Sequence, residues 1–274
     1  MFKNLLKISF RNLLKNKAHT FINVIGLSLG ISAAIVIYRV IDFDTSFDNY
    51  HSDSGRIYRL VVDATENGTL TKMSGTCYPV GENFKVDFNE TELISIVDNN
   101  INNPVISFER NNEQIKIEEP KYSSAFVQPD YFKIFNFDFL IGNPDNPFPT
   151  IKTVVLSRSY AEKYFLDYKS AVGKVIRFDS DLELTVSAVI EDLPKNTDLP
   201  FGILISFDLG EKDKRGWDDW MSSSSAVQFF VKAKKNVSYN QFSENVADYI
   251  NDHKGENPDD FKVLLQPLNE MHFD

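Results

Sequence analysis

The chain has 274 residues, 42% hydrophobic and 25% charged, a balance that fits one large or two small domains folded around a core. Charge is divided unevenly: Lys3, Lys7, Arg11, Lys15 and Lys17 precede the first acid, Asp42, and the 39 Asp and Glu from there onward face 23 Lys and Arg (29 in all, less those five and Arg39). A body so acidic, in a chain of formal net charge −10, argues against nucleic-acid binding, and the lone Cys77 excludes an intramolecular disulfide, leaving packing to hold the fold.

Residues 1–19 read as an amphipathic helix. Lys3, Lys7, Arg11 and Lys15 are spaced by four and share one face, while Phe2, Leu5, Leu6, Phe10 and Leu13 fall largely on the other. With Lys17 this makes a basic surface suited to an anionic inner leaflet; the plainer reading is a basic flank that only fixes topology.

Residues 20–41 read as a membrane span. Phe21 to Tyr38 carries no charge, Arg39 can snorkel to the interface, and the stretch is long enough for the ~30 Å hydrocarbon core. It is too long for a signal peptide and too free of charge for an ordinary core helix. Positive residues before it and Asp42, Asp44 and Asp48 after it place the N-terminus in the cytoplasm and residues 42–274 outside. Gly26 and Gly30 form a GxxxG, with Ser28 and Ala33 nearby, a pattern that lets helices pack closely.

The outer part reads as α+β, with mixed strands and helices and no regular βαβ alternation. Strands are expected at 57–65, 70–73, 93–97, 105–109, 114–117, 122–127, 153–156, 175–178, 184–190, 203–207, 227–233 and 261–265. Asn111-Asn112 supplies a hairpin turn. Helices are expected at 78–88, from the Val80, Phe84, Phe88 stripe, at 129–135, after a Ser157 cap, and from a Ser238 cap to about residue 252, with Phe242, Val246, Tyr249 and Ile250 inward. The breaker-rich 142–149 (GNPDNPFP) is expected to join two lobes.

No nucleotide-binding P-loop, GxGxxG, HExxH, GxSxG or CxxC occurs. His19, His51, His253 and His272 are scattered, and the acids at 179, 181, 183, 218 and 219 do not match a calcium loop. The expectation is a protein that is not an enzyme, with no catalytic, metal or cofactor residues of its own.

Several phrases together resemble MacB/FtsX-type ABC transporter permeases. At the start these are Arg11-Asn12-Leu13, Lys15-Asn16-Lys17, Ile22-Asn23, Gly26-Leu27 and Gly30; after the span, Ser46-Phe47-Asp48, Tyr50-His51 and Arg56-Ile57-Tyr58-Arg59. Further on come Asp130-Tyr131-Phe132, Phe135, Gly142-Asn143-Pro144, Val154-Val155-Leu156-Ser157, Ala161, Lys163-Tyr164-Phe165, Val172-Gly173-Lys174, Val189 to Pro194 (VIEDLP), Pro267-Leu268 and Met271-His272-Phe273. The resemblance covers essentially the whole chain. It implies an inner-membrane permease subunit with a MacB-like periplasmic core domain. Its partners would be an ABC ATPase that binds the ATP, a second permease copy, the bilayer, and a periplasmic adaptor or substrate. Cytoplasmic ATP hydrolysis would be coupled to substrate handling or export outside. In the family a second span follows; this sequence stops at Asp274, so it reads as a fragment or a truncated form. The alternative is a single-pass anchored binding or sensory domain, against which stands a cytoplasmic part too short for an output module; a tethered hydrolase lacks a catalytic pattern.

Overall fold

The computed structural model describes residues 2–66, 69–207, 219–220, 223–254 and 261–273. It divides into two units, residues 1–46 and 47–274.

In the first unit, helix α1 (Phe2–Lys15) is followed by α2 (Lys17–Asp44). Asn16, at φ −107° and ψ 58°, breaks the helix between them, and Thr20 Oγ1 donates to Leu13 O across the break. The basic helix therefore ends at Lys15 rather than 19, and Lys17 opens α2. At 1.5 Å per residue the 28 residues of α2 extend roughly 42 Å, longer than a hydrocarbon core. It is long and apolar enough to cross a membrane, and none of its side chains is buried by protein. Thr45 and Ser46 end it, their N–H and hydroxyl groups both donating to the carbonyls of Ile41 and Phe43.

The second unit is built on one sheet. β1 (Ile57–Glu66) pairs antiparallel with β13 (Phe261–Pro267) on one side; on the other it pairs first with β12 (Val227–Ala233) and then with β2 (Thr69–Met73). β3 (Thr91–Asp98) lies beyond β12. From β3 the order runs β6 (Ser124–Val127), β11 (Ile203–Ser206), β8 (Thr153–Ser157), β10 (Leu182–Ile190), β9 (Val175–Phe178), β4 (Val105–Arg110) and β5 (Glu113–Glu118), with β7 (Phe139–Ile141) on the end of β10. The β6–β11 and β8–β10 pairs are parallel and the other pairings antiparallel. This mixed sheet with helices on it is the α+β class expected. The sheet is narrowest at β3–β6, where two residue pairs hold it, Val97–Val127 and Asp98–Phe126.

The cores follow from which faces the helices cover. On the β1 half, α3 (Tyr78–Asp87), α6 (Tyr239–Val246) and α7 (Tyr249–Lys254) bury Phe84, Phe88, Phe242 and Ile250 against Leu60, Val62, Phe229 and Val263. In the middle, α4 (Asp130–Phe135) buries Tyr131, Phe132 and Phe135 with Phe201, Phe230 and Met271. On the far half, α5 (Arg158–Phe165) buries Tyr164 among Ile106, Phe108, Leu184 and Val186. Each such side chain contributes about 1.5–3 kcal/mol by leaving water.

The 142–149 segment connects β7 to β8, both of which pair with β10. Gly and Pro mark a loop but not which strands it joins. Several expectations are corrected. Ser157 stands at the start of α5 but its side chain bonds Ser159 Oγ; the carboxylate that accepts the Ser159 N–H is Asp192. The helix expected from 238 to about 252 splits into α6 and α7 where the Ala247 carbonyl accepts the Val263 amide of β13. Residues 67 and 68, between the strands expected at 57–65 and 70–73, and Asp218 lie outside the described residues.

Candidate functional site

The motif residues just beyond α2 meet three other segments of the second unit. Asp48 takes φ 53°, a left-handed conformation that Asp tolerates better than most residues. Its N–H donates to Asn196 O at 3.0 Å, Oδ1 accepts from Thr197 Oγ1 at 2.5 Å, and Oδ2 accepts from the Asp198 N–H at 3.0 Å. Thr197 Oγ1 in turn accepts the Leu199 N–H, so one buried carboxylate organises the 196–199 loop. Asp198 Oδ1 contacts His272 Nδ1 at 3.0 Å, and the His272 ring stacks on Phe47 with centroids 3.6 Å apart and planes 16° apart. The short 3₁₀ helix at 268–273 that carries His272 is fixed by buried Leu268 and Met271. We call this arrangement the clasp.

His51 packs beside it. Its Nδ1 lies 2.9 Å from Phe135 O at the end of α4, and its ring rests against Tyr50 and Phe135. A carbonyl only accepts, so Nδ1 carries the proton, and neutral His51 turns an unprotonated Nε2 toward Asp48 Oδ1, 3.9 Å away. Burial pushes His51 down to about 4. Burial raises the Asp48 carboxyl, and the charge of Asp198 adds to the rise, against the hydrogen bonds from Thr197 and Asp198. Burial also lifts Tyr50 to about 12 and Tyr131 well above the phenol range.

The next motif residues knit β1 to its neighbours. Arg56 Nη1 donates to Glu92 at 2.7 Å and to Ala233 O, and Arg56 Nη2 lies 3.0 Å from Asp53. Asp53 also holds the buried Lys232 ammonium at 2.6 Å, and these two cations hold its carboxyl below the usual range. Arg59 donates from Nε and Nη2 to Gln266 Oε1. Hollows border the clasp and His51. One of about 640 Å³ is lined by Arg59, Asn99, Lys121, Thr197, Asp198 and Met271 among others; one of about 280 Å³ by His51, Phe135, Asp138, Glu191 and Pro194 among others.

The residues singled out from sequence lie in the first unit. Gly26, Gly30 and Ala33 share one face of α2, while Ser28 stands roughly 200° round from Gly26, on the opposite side. An added Cβ at Gly26 or Gly30 would meet nothing within 4 Å. Lys7, Arg11, Lys15 and Lys17 are exposed. The fold brings His51 and His272 to the clasp, whereas His253 stacks on Trp220 and contacts Tyr249 O, and His19 is on α2. Asn196, Thr197 and Asp198 are not among the residues singled out from sequence; their Asn-Thr-Asp run between Pro194 and Pro200 was the available signal. Among the described residues no group of three or more His, Cys, Asp or Glu is placed to hold a metal ion. What the clasp can do, with His51 and Phe135 beside it, is hold four segments of the second unit in register.

The family model of the MacB-like periplasmic core domain matches residues 20–249. A domain described as part of a permease protein from Porphyromonas gingivalis has a similar fold, with TM-score 0.62 at 17% identity over 79% of this chain and 92% of that one. The periplasmic region of MacB from Actinobacillus actinomycetemcomitans gives 0.48 at 12% identity, over 78% and 89%. No curated protein sequence matches. This chain belongs to the family of MacB-like periplasmic core domains, a domain of ABC-type transporter permeases.

Proposed function

We propose that this chain is the first span and extracytoplasmic domain of an ABC transporter permease subunit of the cell inner membrane. α2 crosses the bilayer, the basic α1 lies on the cytoplasmic leaflet, and residues from about 42 onward stand outside. ATP is bound and hydrolysed by a partner ATPase, and a second permease copy completes the transporter. The domain turns the resulting movement of its spans into handling or export of a substrate, with or without a periplasmic adaptor.

One observation carries this reading beyond the family match. Phe47 and Asp48, the first residues of the domain after α2, are not a slack tether; they are locked to the 196–199 loop and to His272. A displacement of α2 along its axis reaches Asp48 through a few residues of chain and passes into the loop and the 268–273 turn. A tether for a binding domain has no need of such a joint.

The test uses the tagged protein captured from its native membranes. A copurifying ATPase subunit is expected, whose hydrolysis is stimulated by substrate. Asp48→Ala, compared at equal amounts of assembled transporter, should keep basal hydrolysis but lose transport. Capture without any ATPase, or Asp48→Ala transporting at the wild-type rate, sinks the proposal.

A further inference from the structure

The clasp contains an element with two alternative partners. Asp48 Oδ1 is the acceptor of Thr197 Oγ1, and the same oxygen is the one that His51 Nε2 faces at 3.9 Å. With His51 neutral, two unprotonated atoms confront each other, and the separation is too long for a hydrogen bond. One proton on Nε2 turns this contact into a charge-assisted pair between groups shielded from water, both sides of which are buried. Asp48 Oδ1 then has competing donors, Thr197 and His51, on different segments.

We propose that His51 and Asp48 form a proton-operated joint: protonation of His51 draws Asp48 away from Thr197 and frees the 196–199 loop from Asp48. The inference deepens the reading above and rests on it for its use, since a domain outside the membrane meets the pH of its surroundings.

The surrounding groups support a response centred on this pair. From the turn that carries His51 come Asp48 and Tyr50; from α4 comes Tyr131; both phenols stay neutral because burial lifts them. From the loop comes Asp198, whose Oδ1 is taken by His272 of the last turn and whose buried Oδ2 has no hydrogen-bond partner. Asp138, Glu191 and Asp192 line the hollow beside His51. Of these, Glu191 lies 3.9 Å from Arg158 and Asp192 accepts the Ser159 N–H, so both are engaged with α5. Burial, the chief influence on His51, sets the switch on the acid side of neutrality.

Amide hydrogen exchange on the full chain in lipid nanodiscs tests it, with rates corrected for intrinsic pH dependence. Between pH 7 and 4.5 the Asp198 and Leu199 amides should lose protection by about tenfold or more relative to those of β12. His51→Gln, which can still donate to Phe135 O, should flatten that dependence, as should Asp48→Asn, while His272→Gln should leave it. Near-UV circular dichroism confirms folding of each variant. If His51→Gln does not fold, the wild-type His51 ring resonance decides: its titration midpoint should coincide with the loss of protection. Unchanged protection at pH 4.5, a dependence that persists in His51→Gln or vanishes only in His272→Gln, or midpoints that differ, overturns the joint. None of these readouts involves transport, so a failure here leaves the permease reading standing.

Discussion

Asp48 Oδ1 and Thr197 Oγ1 meet at 2.5 Å across 149 residues of sequence, at a point 1% exposed for Asp48. The contact joins the segment that follows α2 in the chain to the loop between β10 and β11, and so ties the first residues of the second unit to its sheet. Because Oδ2 is also used, by the Asp198 N–H, neither carboxylate oxygen is idle.

Asp48→Ala strands the Thr197 hydroxyl and the Asp198 N–H in a buried place, at about 1–3 kcal/mol for each unsatisfied group. Asp48→Asn keeps one acceptor and tolerates φ 53° nearly as well. Thermal unfolding should therefore rank wild type above Asn and Asn above Ala, with a loss of about 3 kcal/mol for Ala. Equal melting of Asn and Ala variants would show that the carboxylate oxygens are not what the loop depends on.

The pH dependence of stability has two opposed parts. His51 is held at about 4 in the fold against about 6.5 unfolded. Below pH 6.5 the unfolded chain binds a proton that the folded domain takes only near 4. This part of the stability is full above 6.5 and lost as pH falls toward 4, by about 3 kcal/mol. Asp48 has the opposite sign: its folded carboxyl is raised, so the native state takes up its proton first and gains relative stability as the pH falls through that value. Partial cancellation follows. His51→Gln should be less stable than wild type at pH 7.5 and lose less on going to pH 4.5, read as the change in unfolding midpoint.

How much of this was readable in the sequence depends on how local each cause is. Asn111 and Asn112 adopt φ 54° and 64° and close the β4–β5 hairpin, because their own side chains tolerate that conformation. The Val80, Phe84, Phe88 stripe became α3 because an i, i+4, i+8 pattern has one helical reading. Asp192, by contrast, reaches the start of α5 from the end of β10, and Ser157 offered a local cap that the fold does not use. The Ala247 break needs β13, and the clasp needs four separate segments. The phrases carrying the family resemblance contain Phe47, Asp48, His51 and His272 but say nothing of their meeting.

Glu119, Lys163 and Tyr164 give a prediction from asymmetric burial. The Glu119 side chain is 0% exposed and accepts from Lys163 Nζ at 2.6 Å and Tyr164 OH at 2.9 Å, while the Lys163 side chain is 41% exposed. Lys163→Met leaves a carboxylate in the interior with its cation gone, at about 3 kcal/mol. Glu119→Gln leaves an ammonium that water can reach, and costs about 1 kcal/mol. Chemical unfolding of the two variants should show this order; the reverse would mean that Glu119 is wetter than its surroundings indicate.

Gly81 tests packing of α3 on the sheet. In an open helix Gly→Ala gains about 1 kcal/mol. Here a Cβ would lie 1.8 Å from Cε1 of Phe229, which is itself 3% exposed and enclosed by the α3 and α6 side chains. Overpacking of this kind costs about 1–3 kcal/mol, so Gly81→Ala should lower the unfolding midpoint. Phe229→Leu in the same chain should return part of the loss by making room; a midpoint raised by Gly81→Ala alone would contradict the packing described.

Gly26 and Gly30 differ from Gly81 because open space surrounds them. Gly26→Leu and Gly30→Leu should therefore leave the unfolding of the 47–274 domain unchanged, and the helix itself gains from losing two glycines. Their effect should appear in the bilayer, where a small-residue face permits close approach of another span and a Leu pair blocks it. Cysteine crosslinking between α2 and neighbouring spans in native membranes should fall for the double variant but not for Ser28→Leu, whose side chain stands on the opposite side of the helix. Crosslinking at wild-type yield in the Gly variants would mean that this face meets lipid, and would remove the reason for reading α2 as one span among several.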